Sequence, residues 1–246
     1  MENSRQSRIL NYRLMDESLI LPVCLHGGGI KLSQLDELTS KTHVEEEFGL
    51  PYGIHSRFFK EVSRSYGACG MVAIDDDEII GLTRFCPKML MDMLGTSFCP
   101  QEEDAARRIG SFDTTKLPQF DELSPKSLRI HCFQVIEQYR SQGIGKTMLQ
   151  KTINWAKENG WSDIFYSGAF QHIFPLISWA GGMSVQSLMK LGFEVISQRV
   201  DEGVRGGVIS QRRGYHGEDV KKVWEEKYSH ISDDEASVVY TMKLSF

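Results

Sequence analysis

The residues best suited to chemistry lie at positions 133–147, where an apolar stretch gives way to small and polar residues (FQVIEQYRSQGIGKT). A helix that begins here leaves four backbone N–H groups unpaired and presents the positive end of its dipole. Gly143 and Gly145 have no side chain that would keep a phosphate oxygen away from those donors. Arg140 and Lys146 add positive charge nearby. The pattern therefore predicts a pyrophosphate site at a strand–helix junction.

Two other phosphate-binding motifs do not fit this stretch. A nucleoside-triphosphate loop, Gly-x-x-x-x-Gly-Lys-Ser/Thr, would end at Gly145 to Thr147, but its first glycine would fall on Arg140. A dinucleotide-binding Gly-x-Gly-x-x-Gly would need its third glycine at Met148. Each interpretation fails at a residue that its motif requires.

The remaining pattern, Arg140-x-x-Gly143-x-Gly145, resembles the CoA-binding motif of the GNAT superfamily of acyl-CoA N-acyltransferases. Residues 133–140 are similar to the Leu-x-Val-x-Pro-Glu-Tyr-Arg stretch that precedes it there, and the later Lys-Leu-Gly-Phe signature of the family is present at 190–193. The two motifs occur in the family's order and at its separation. The resemblance implies an α/β fold with a mixed, mostly antiparallel central sheet, splayed strands, and helices on both faces.

The same resemblance implies that the chain transfers an acetyl group from acetyl-CoA, its cosubstrate, to a primary amine by direct attack. Backbone groups of Phe133 and Val135 would bind the pantetheine arm, and residues 140–145 would bind the pyrophosphate. The acyl group and the amine would meet where the strands that end near Val135 and begin near Asp163 splay apart. The residues implied in cofactor binding are Phe133, Gln134, Val135, Arg140, Ser141, Gln142, Gly143, Ile144, Gly145, Lys146 and Thr147.

Two positions depart from the family's pattern. A Tyr that often protonates the departing CoA thiolate is replaced by Leu188, and a common Asn is replaced by Gly181. These departures leave a second interpretation open, in which the chain is a catalytically degenerate acyl-CoA-binding sensor or regulatory module. An O- or thiol-directed acyltransferase on the same scaffold also stays open.

An ammonium acceptor must lose a proton before it can attack, so a base is expected beside it. His131 lies on the strand that leads into the loop, and imidazole ordinarily has a pKa suited to this role. Alternation along the strand places it on the face of Arg129 and Phe133, unless a bulge resets the register. Glu137 is the second candidate. Cys132 could carry the acyl group covalently, but an inert buried thiol is the favoured interpretation.

Composition narrows the classes of function. The 246 residues include 33 acidic and 28 basic ones, a net charge of −5, which argues against a nucleic-acid partner and slightly favours a cationic acceptor such as a small-molecule or peptide amine. The sequence has no apolar run of bilayer length and no signal core at its start, so a soluble cytoplasmic protein with no membrane partner is expected. Five scattered cysteines without a CxxC pair predict neither disulfides nor a metal site. A homodimer is compatible with the sequence.

Apolar periodicity predicts a single domain over residues 1–246, with insertions at about 87–127 and 201–235. The first third is expected to be extended over 8–25 and mostly helical over 32–62. Later elements are strands at 68–74, 78–85, 128–136, 163–170, 193–200 and 237–244, and helices at 143–158, 183–191 and 220–228.

Overall fold

The computed structural model describes residues 9–25, 28–40, 52–94, 108–109, 111–170, 173, 175 and 182–246. Their contacts divide the chain into two compact units, Met1–Ser162 and Asp163–Phe246, which are described one at a time. The single domain expected over residues 1–246 stays a prediction. No helix among the described residues is long and apolar enough to cross a membrane.

The first unit contains an antiparallel sheet with the strand order β1-β3-β4-β5, in which β2 pairs with the start of β4. Its strands are β1 (Asn11–Leu14), β2 (Ile30–Lys31), β3 (Gly70–Asp75), β4 (Glu78–Pro87) and β5 (Ser127–Val135). Its helices are α1 (Leu35–Ser40), α2 (Tyr52–Tyr66), α3 (Lys88–Leu94) and α4 (Ile144–Glu158).

The elements around the predicted loop form for reasons that the sequence already shows. The β3–β4 hairpin turns at Asp76, which adopts the left-handed conformation (φ 53°) that Asp tolerates better than most residues. Helix α4 buries the apolar positions that recur at helical spacing and exposes the polar ones between them. It ends before Gly160, whose φ of 78° terminates the helix. The hairpin, the strand at 128–136 and the helix at 143–158 are therefore confirmed within two residues.

The prediction of an extended segment over residues 8–25 is correct only for β1. Residues 15–25 are irregular yet largely buried, because a side chain from a distant strand satisfies their backbone. The guanidinium of Arg84 in β4 donates to the carbonyl oxygens of Leu21 and Val23. The apolar pattern of residues 15–25 therefore reflects burial and not strand pairing.

The second unit has an antiparallel sheet with the order β6-β9-β8, and β7 pairs parallel with β6. The mixed α/β fold with a mostly antiparallel sheet is confirmed. The strands are β6 (Asp163–Ala169), β7 (Met183–Ser184), β8 (Glu194–Val200) and β9 (Val238–Ser245), and the helices are α5 (Val185–Met189), α6 (Glu202–Arg212), α7 (Glu218–Lys227) and α8 (Asp233–Ala236).

Residues 201–235 contain more helix than the sequence predicts. The charged helix expected at 220–228 is α7, but α6 and α8 were not anticipated. Glycines in α6 lower its helix propensity, yet the Asp201 carboxylate caps it by accepting from the backbone N–H groups of Gly203 and Val204. These helices pack around Trp224 in a cluster with Val208 and Ile231.

Candidate active site

The junction between β5 and α4 turns back on itself within eight residues. Val135 still pairs with Gly81 of β4, and the N–H of Ile136 donates to the carbonyl of Ile80. A 3-10 turn then covers Glu137–Tyr139. The chain next passes through two left-handed positions, Ser141 (φ 61°) and Gly143 (φ 82°), before the helix begins.

The N-terminus of α4 is a positive pole that neither its N-cap residue nor its first turn compensates. Gly143 is its N-cap and offers no capping side chain, and the first turn contains no acidic residue. The N–H of Thr147 closes the first helical hydrogen bond on the carbonyl of Gly143, at 3.0 Å. The N–H groups of Ile144, Gly145 and Lys146 therefore have no intrahelical acceptor. Together with the helix dipole, they make this end of α4 suited to a phosphate.

The two glycines of the motif have different roles. A Cβ on Gly143 would meet no atom of the described residues within 4 Å, so with respect to them the space in front of the helix is open. A Cβ on Gly145 would lie 3.0 Å from Cε1 of Phe133, so this glycine lets the helix pack closely on β5. Phe133 is accordingly buried and contributes to the packing beneath the loop.

Side-chain hydrogen bonds hold the shape of the loop. Nε of Arg140 donates to the carbonyl of Val135 at 2.9 Å, which folds this side chain back over the strand end. The Tyr139 hydroxyl donates to Oδ2 of Asp75 at 2.6 Å and ties the 3-10 turn to the β3–β4 hairpin. Gln142 Nε2 donates to the carbonyl of Gln138 at 2.9 Å. The Tyr139–Asp75 contact could not be predicted from local sequence, because its partners are 64 positions apart.

The remaining residues of the predicted set differ in what their side chains can do. Oε1 of Gln134 accepts the N–H of Leu25 at 2.6 Å, so this amide holds the buried segment 15–25 in place. The Thr147 hydroxyl donates to the carbonyl of Gly143 at 3.2 Å. Lys146 is exposed on the first turn of α4. The structure thus brings residues 140–147 together at the helix start. The side chain of Gln134 instead contacts the backbone of Leu25.

His131 lies at a β-bulge of β5. The register with β4 shifts between Arg84, which is opposite Cys132, and Phe85, which is opposite Ile130. Both ring nitrogens of His131 are shielded from solvent, and the ring stacks on Phe59 with centroids 6.4 Å apart.

The pKa of His131 lies well below its usual value, first because burial disfavours the charged ring and second because the Arg84 and Arg129 guanidiniums repel it. The ordinary imidazole titration assumed from the sequence is therefore wrong for this residue, which is neutral at pH 7. A neutral imidazole can accept a proton, although weakly. Its catalytic role stays a prediction.

Glu137 lies beyond the end of β5, whereas His131 lies within the strand. Glu137 is exposed in the 3-10 turn, and its carbonyl accepts the N–H of Arg140. At about 3.3 Å per strand residue, His131 is already roughly 13 Å from Val135, where β5 ends. The catalytic role of Glu137 also stays a prediction.

Arg84 is a residue that the sequence analysis missed. Its side chain is fully buried, and its guanidinium lies 5.1 Å from the ring centroid of Phe59 and 3.4 Å from Sγ of Cys24. The signal was a single charged residue within the otherwise apolar run of β4, a position where charge is tolerated only with dedicated partners.

Two further predictions concern the second unit and metals. Leu188, which stands where the family often has Tyr, is fully buried and has no group that could donate a proton. Gly181 lies outside the described residues. Within the described ranges, no group of three or more His, Cys, Asp and Glu side chains could hold a metal ion.

The part of the chain that contains the β5–α4 junction matches a known protein family. The sequence model of the acetyltransferase (GNAT) family matches residues 32–170. No curated protein matches the chain.

Similar solved structures include an acetyltransferase of the GNAT family from Streptococcus pneumoniae, with 12% identity and a TM-score of 0.48 over 97% of this chain and 99% of that one. Mosquito arylalkylamine N-acetyltransferase like 5b has 15% identity and a TM-score of 0.47 over 97% and 100%. A GNAT family acetyltransferase from Elizabethkingia anophelis with acetyl-CoA bound has 15% identity and a TM-score of 0.35 over 76% and 83%.

Proposed function

The chain belongs to the GNAT acetyltransferase family, and we propose that it binds acetyl-CoA at the start of α4 and transfers the acetyl group to a primary amine. The observation that carries the proposal is the open N-terminus of α4. Three backbone N–H groups lack intrahelical acceptors there, and neither a capping side chain nor an acidic residue of the first turn competes for them. A pyrophosphate would find both hydrogen-bond donors and a favourable dipole.

The pantetheine arm would run along β5, toward the bulge at His131. This direction follows from the pyrophosphate site, because the strand ends where the loop begins. Phe133 and Val135 would contribute backbone groups only, since the Phe133 ring is packed against Gly145.

The reaction would be direct attack of the neutral amine nitrogen on the thioester carbonyl carbon. The carbon–nitrogen bond forms, the carbon–sulfur bond breaks, and the CoA thiolate leaves with the electron pair. The proton that the amine loses needs an acceptor, and neutral His131 is the candidate closest to the predicted path of pantetheine. Because its pKa is lowered, it would serve as a weak base that releases the proton readily.

The acceptor is proposed to be a small-molecule or peptide amine. A net charge of −5 favours approach of a cation over that of an anion, and it gives no support to nucleic-acid binding. The acceptor's identity is left to experiment.

A second candidate is an acyl-CoA-binding module without turnover. The burial of Leu188 favours it, because no side chain at that position can protonate the leaving thiolate. A thiolate is a good leaving group, however, so loss of this proton donor slows acyl transfer without preventing it.

Titration calorimetry of the purified chain with acetyl-CoA is the first test, with ATP as the control ligand. Saturable binding of acetyl-CoA but not ATP is the expected result, followed by release of free thiol in the presence of a panel of amines. Binding without thiol release would support the second candidate. Absence of binding to a folded sample, for acetyl-CoA and for longer acyl-CoA donors, would remove both.

A further inference from the structure

The first unit contains a buried guanidinium that has no carboxylate partner among the described residues. Nη2 of Arg84 donates to the carbonyls of Leu21, at 2.8 Å, and Val23, and Nη1 donates to Sγ of Cys24 at 3.4 Å. In the part of the chain that the structure describes, Nε has no hydrogen-bond partner. Among the described residues, no Asp or Glu forms an ion pair with this side chain, which has no solvent-exposed surface. A buried cation in such surroundings favours an anion beside it.

Cys24 is the group placed to supply that anion. A guanidinium at hydrogen-bond distance stabilises a thiolate relative to the thiol, and the thiolate is the nucleophilic form of cysteine. Cys24 is also partly exposed, unlike the fully buried Arg84. Partial exposure and a cationic hydrogen-bond donor are the two features that distinguish reactive cysteines from structural ones.

Two other cysteines of the unit provide an internal contrast. Cys69 and Cys86 are both buried. Burial raises the pKa of the Cys69 thiol to about 12 and raises the pKa of Cys86 well above its ordinary value. Both are therefore inert thiols. Cys132 is partly exposed and lies opposite Arg84 in the β4–β5 ladder, so it is the true competitor of Cys24.

We propose that Cys24 is a nucleophilic thiol, held as a thiolate by Arg84, which takes up an acyl group from an activated ester or a thioester. Its neighbour Leu25 donates to Oε1 of Gln134, so Cys24 lies beside β5. β5 is the strand assigned above to pantetheine, and acylation by acetyl-CoA in particular rests on that proposed function. Acylation by an activated ester does not.

The reaction is a balanced exchange of acyl groups. Sγ of Cys24 attacks the carbonyl carbon of p-nitrophenyl acetate, a carbon–sulfur bond forms, and the carbon–oxygen bond breaks. The electron pair and the negative charge leave with p-nitrophenolate, while Arg84 keeps its proton. With acetyl-CoA as donor, the CoA thiolate leaves instead.

The test is acetylation of the full chain by p-nitrophenyl acetate at pH 7, followed by intact mass measurement and peptide mapping. The first acetyl group is expected on Cys24, at a rate about threefold or more above that of N-acetylcysteine amide, because a larger thiolate fraction outweighs the lower intrinsic nucleophilicity. Cys24→Ser should abolish this first adduct, and the matched variant Cys132→Ser should keep it. Arg84→Met should slow it to the rate of the free thiol or below.

A first adduct on Cys132, or a Cys24 rate no higher than that of the free thiol, would overturn the proposal. Both outcomes are measured on the wild-type chain, so the test remains valid even if Arg84→Met does not fold. Acetyl-CoA is tested in parallel on protein whose binding has been measured by calorimetry. Binding without acetylation of Cys24 would refute acylation by acetyl-CoA and leave the proposed function standing, whereas absence of binding would count against the proposed function alone.

Discussion

Gly143 and Gly160 offer a matched pair at opposite ends of the same helix. Their φ angles are 82° and 78°, and a Cβ at either position would meet no atom closer than an ordinary van der Waals contact. Asn tolerates this left-handed backbone better than most residues, so each substitution should cost at most about 1 kcal/mol of stability. Only Gly143, however, faces the open N–H groups of α4.

We therefore expect Gly143→Asn to weaken acetyl-CoA binding at least tenfold, which corresponds to about 1.4 kcal/mol. The added side chain would occupy the space in front of the helix that the pyrophosphate needs. Calorimetric titration measures the affinity, and Gly160→Asn should bind as the wild type does. Equal affinities for the two variants would place the cofactor elsewhere.

His131 makes stability depend on pH in a defined direction. In the unfolded chain its imidazole takes up a proton near the ordinary pKa of 6.5, whereas in the folded state it does so only at much lower pH. Below pH 6.5 the unfolded state therefore binds more protons, and the free energy of unfolding falls as the pH falls. One such group removes about 1 kcal/mol between pH 6.5 and 5.5.

His131→Gln is expected to make this decline shallower by about 1 kcal/mol, as measured by denaturant unfolding at pH 6.5 and 5.5. Kinetic measurements on the same variant distinguish a catalytic base at position 131 from a residue that only packs against its neighbours. Loss of a base should lower kcat at least about a hundredfold while KM for acetyl-CoA is unchanged. An unchanged kcat would leave His131 with a structural role, stacked on Phe59.

At the scale of single residues, the turn and helix start at 140–147 were predictable from local sequence, and the surroundings of His131 were not. The CoA site proposed at residues 140–147 would act mainly through backbone groups, and glycine spacing together with the family resemblance suffices to propose it. The environment of His131 depends on Phe59 and Arg84, which are 72 and 47 positions earlier in the sequence (131 − 59 and 131 − 84). No local pattern reports such contacts.

At the scale of elements, the Tyr139–Asp75 hydrogen bond links the loop to the β3–β4 hairpin. Tyr139→Phe should loosen the 3-10 turn and raise the Kd for acetyl-CoA severalfold, at a stability cost of about 1 kcal/mol. The matched control is Tyr66→Phe, which removes a 2.8 Å hydrogen bond to the carbonyl of Pro118 in the same unit. The control should lose similar stability and keep its affinity.

Thermal unfolding and calorimetry of both variants give the comparison. If the two affinities fall in parallel, the effect of Tyr139→Phe reflects general destabilisation and not the position of the loop. If neither falls, the loop holds its shape through Arg140 and Gln142 alone.

Long, strongly patterned elements were predictable, and short elements that depend on tertiary contacts were not. Helix α4 and the β3–β4 hairpin follow from apolar periodicity and turn residues. Helix α6 contains residues of low helix propensity and depends on the Asp201 cap and on burial of Val208 beside Trp224. The Asp201 cap is adjacent in sequence, but the packing partner Trp224 lies beyond the local window of the helix.

At the scale of the whole molecule, the open question is whether the chain unfolds as one domain. Substitution of Trp224 tests this question, because the residue is central to the packing of the second unit. Its indole Nε1 donates to Oε1 of the buried Gln211 at 2.9 Å, and its ring packs on Tyr228 and under Arg212. Trp224→Ala should cost about 3–5 kcal/mol. That is comparable with the whole stability that a unit of this size can supply from its own core.

We expect a single cooperative transition at a lower temperature, in which the amides of α4 and α7 lose hydrogen-exchange protection together. That result follows if the second unit is too small to be stable independently of the first, as the prediction of one domain requires. A chain of two independent domains would behave differently. Protection would vanish in α7 and persist in α4, acetyl-CoA would still bind, and the single-domain prediction would be wrong.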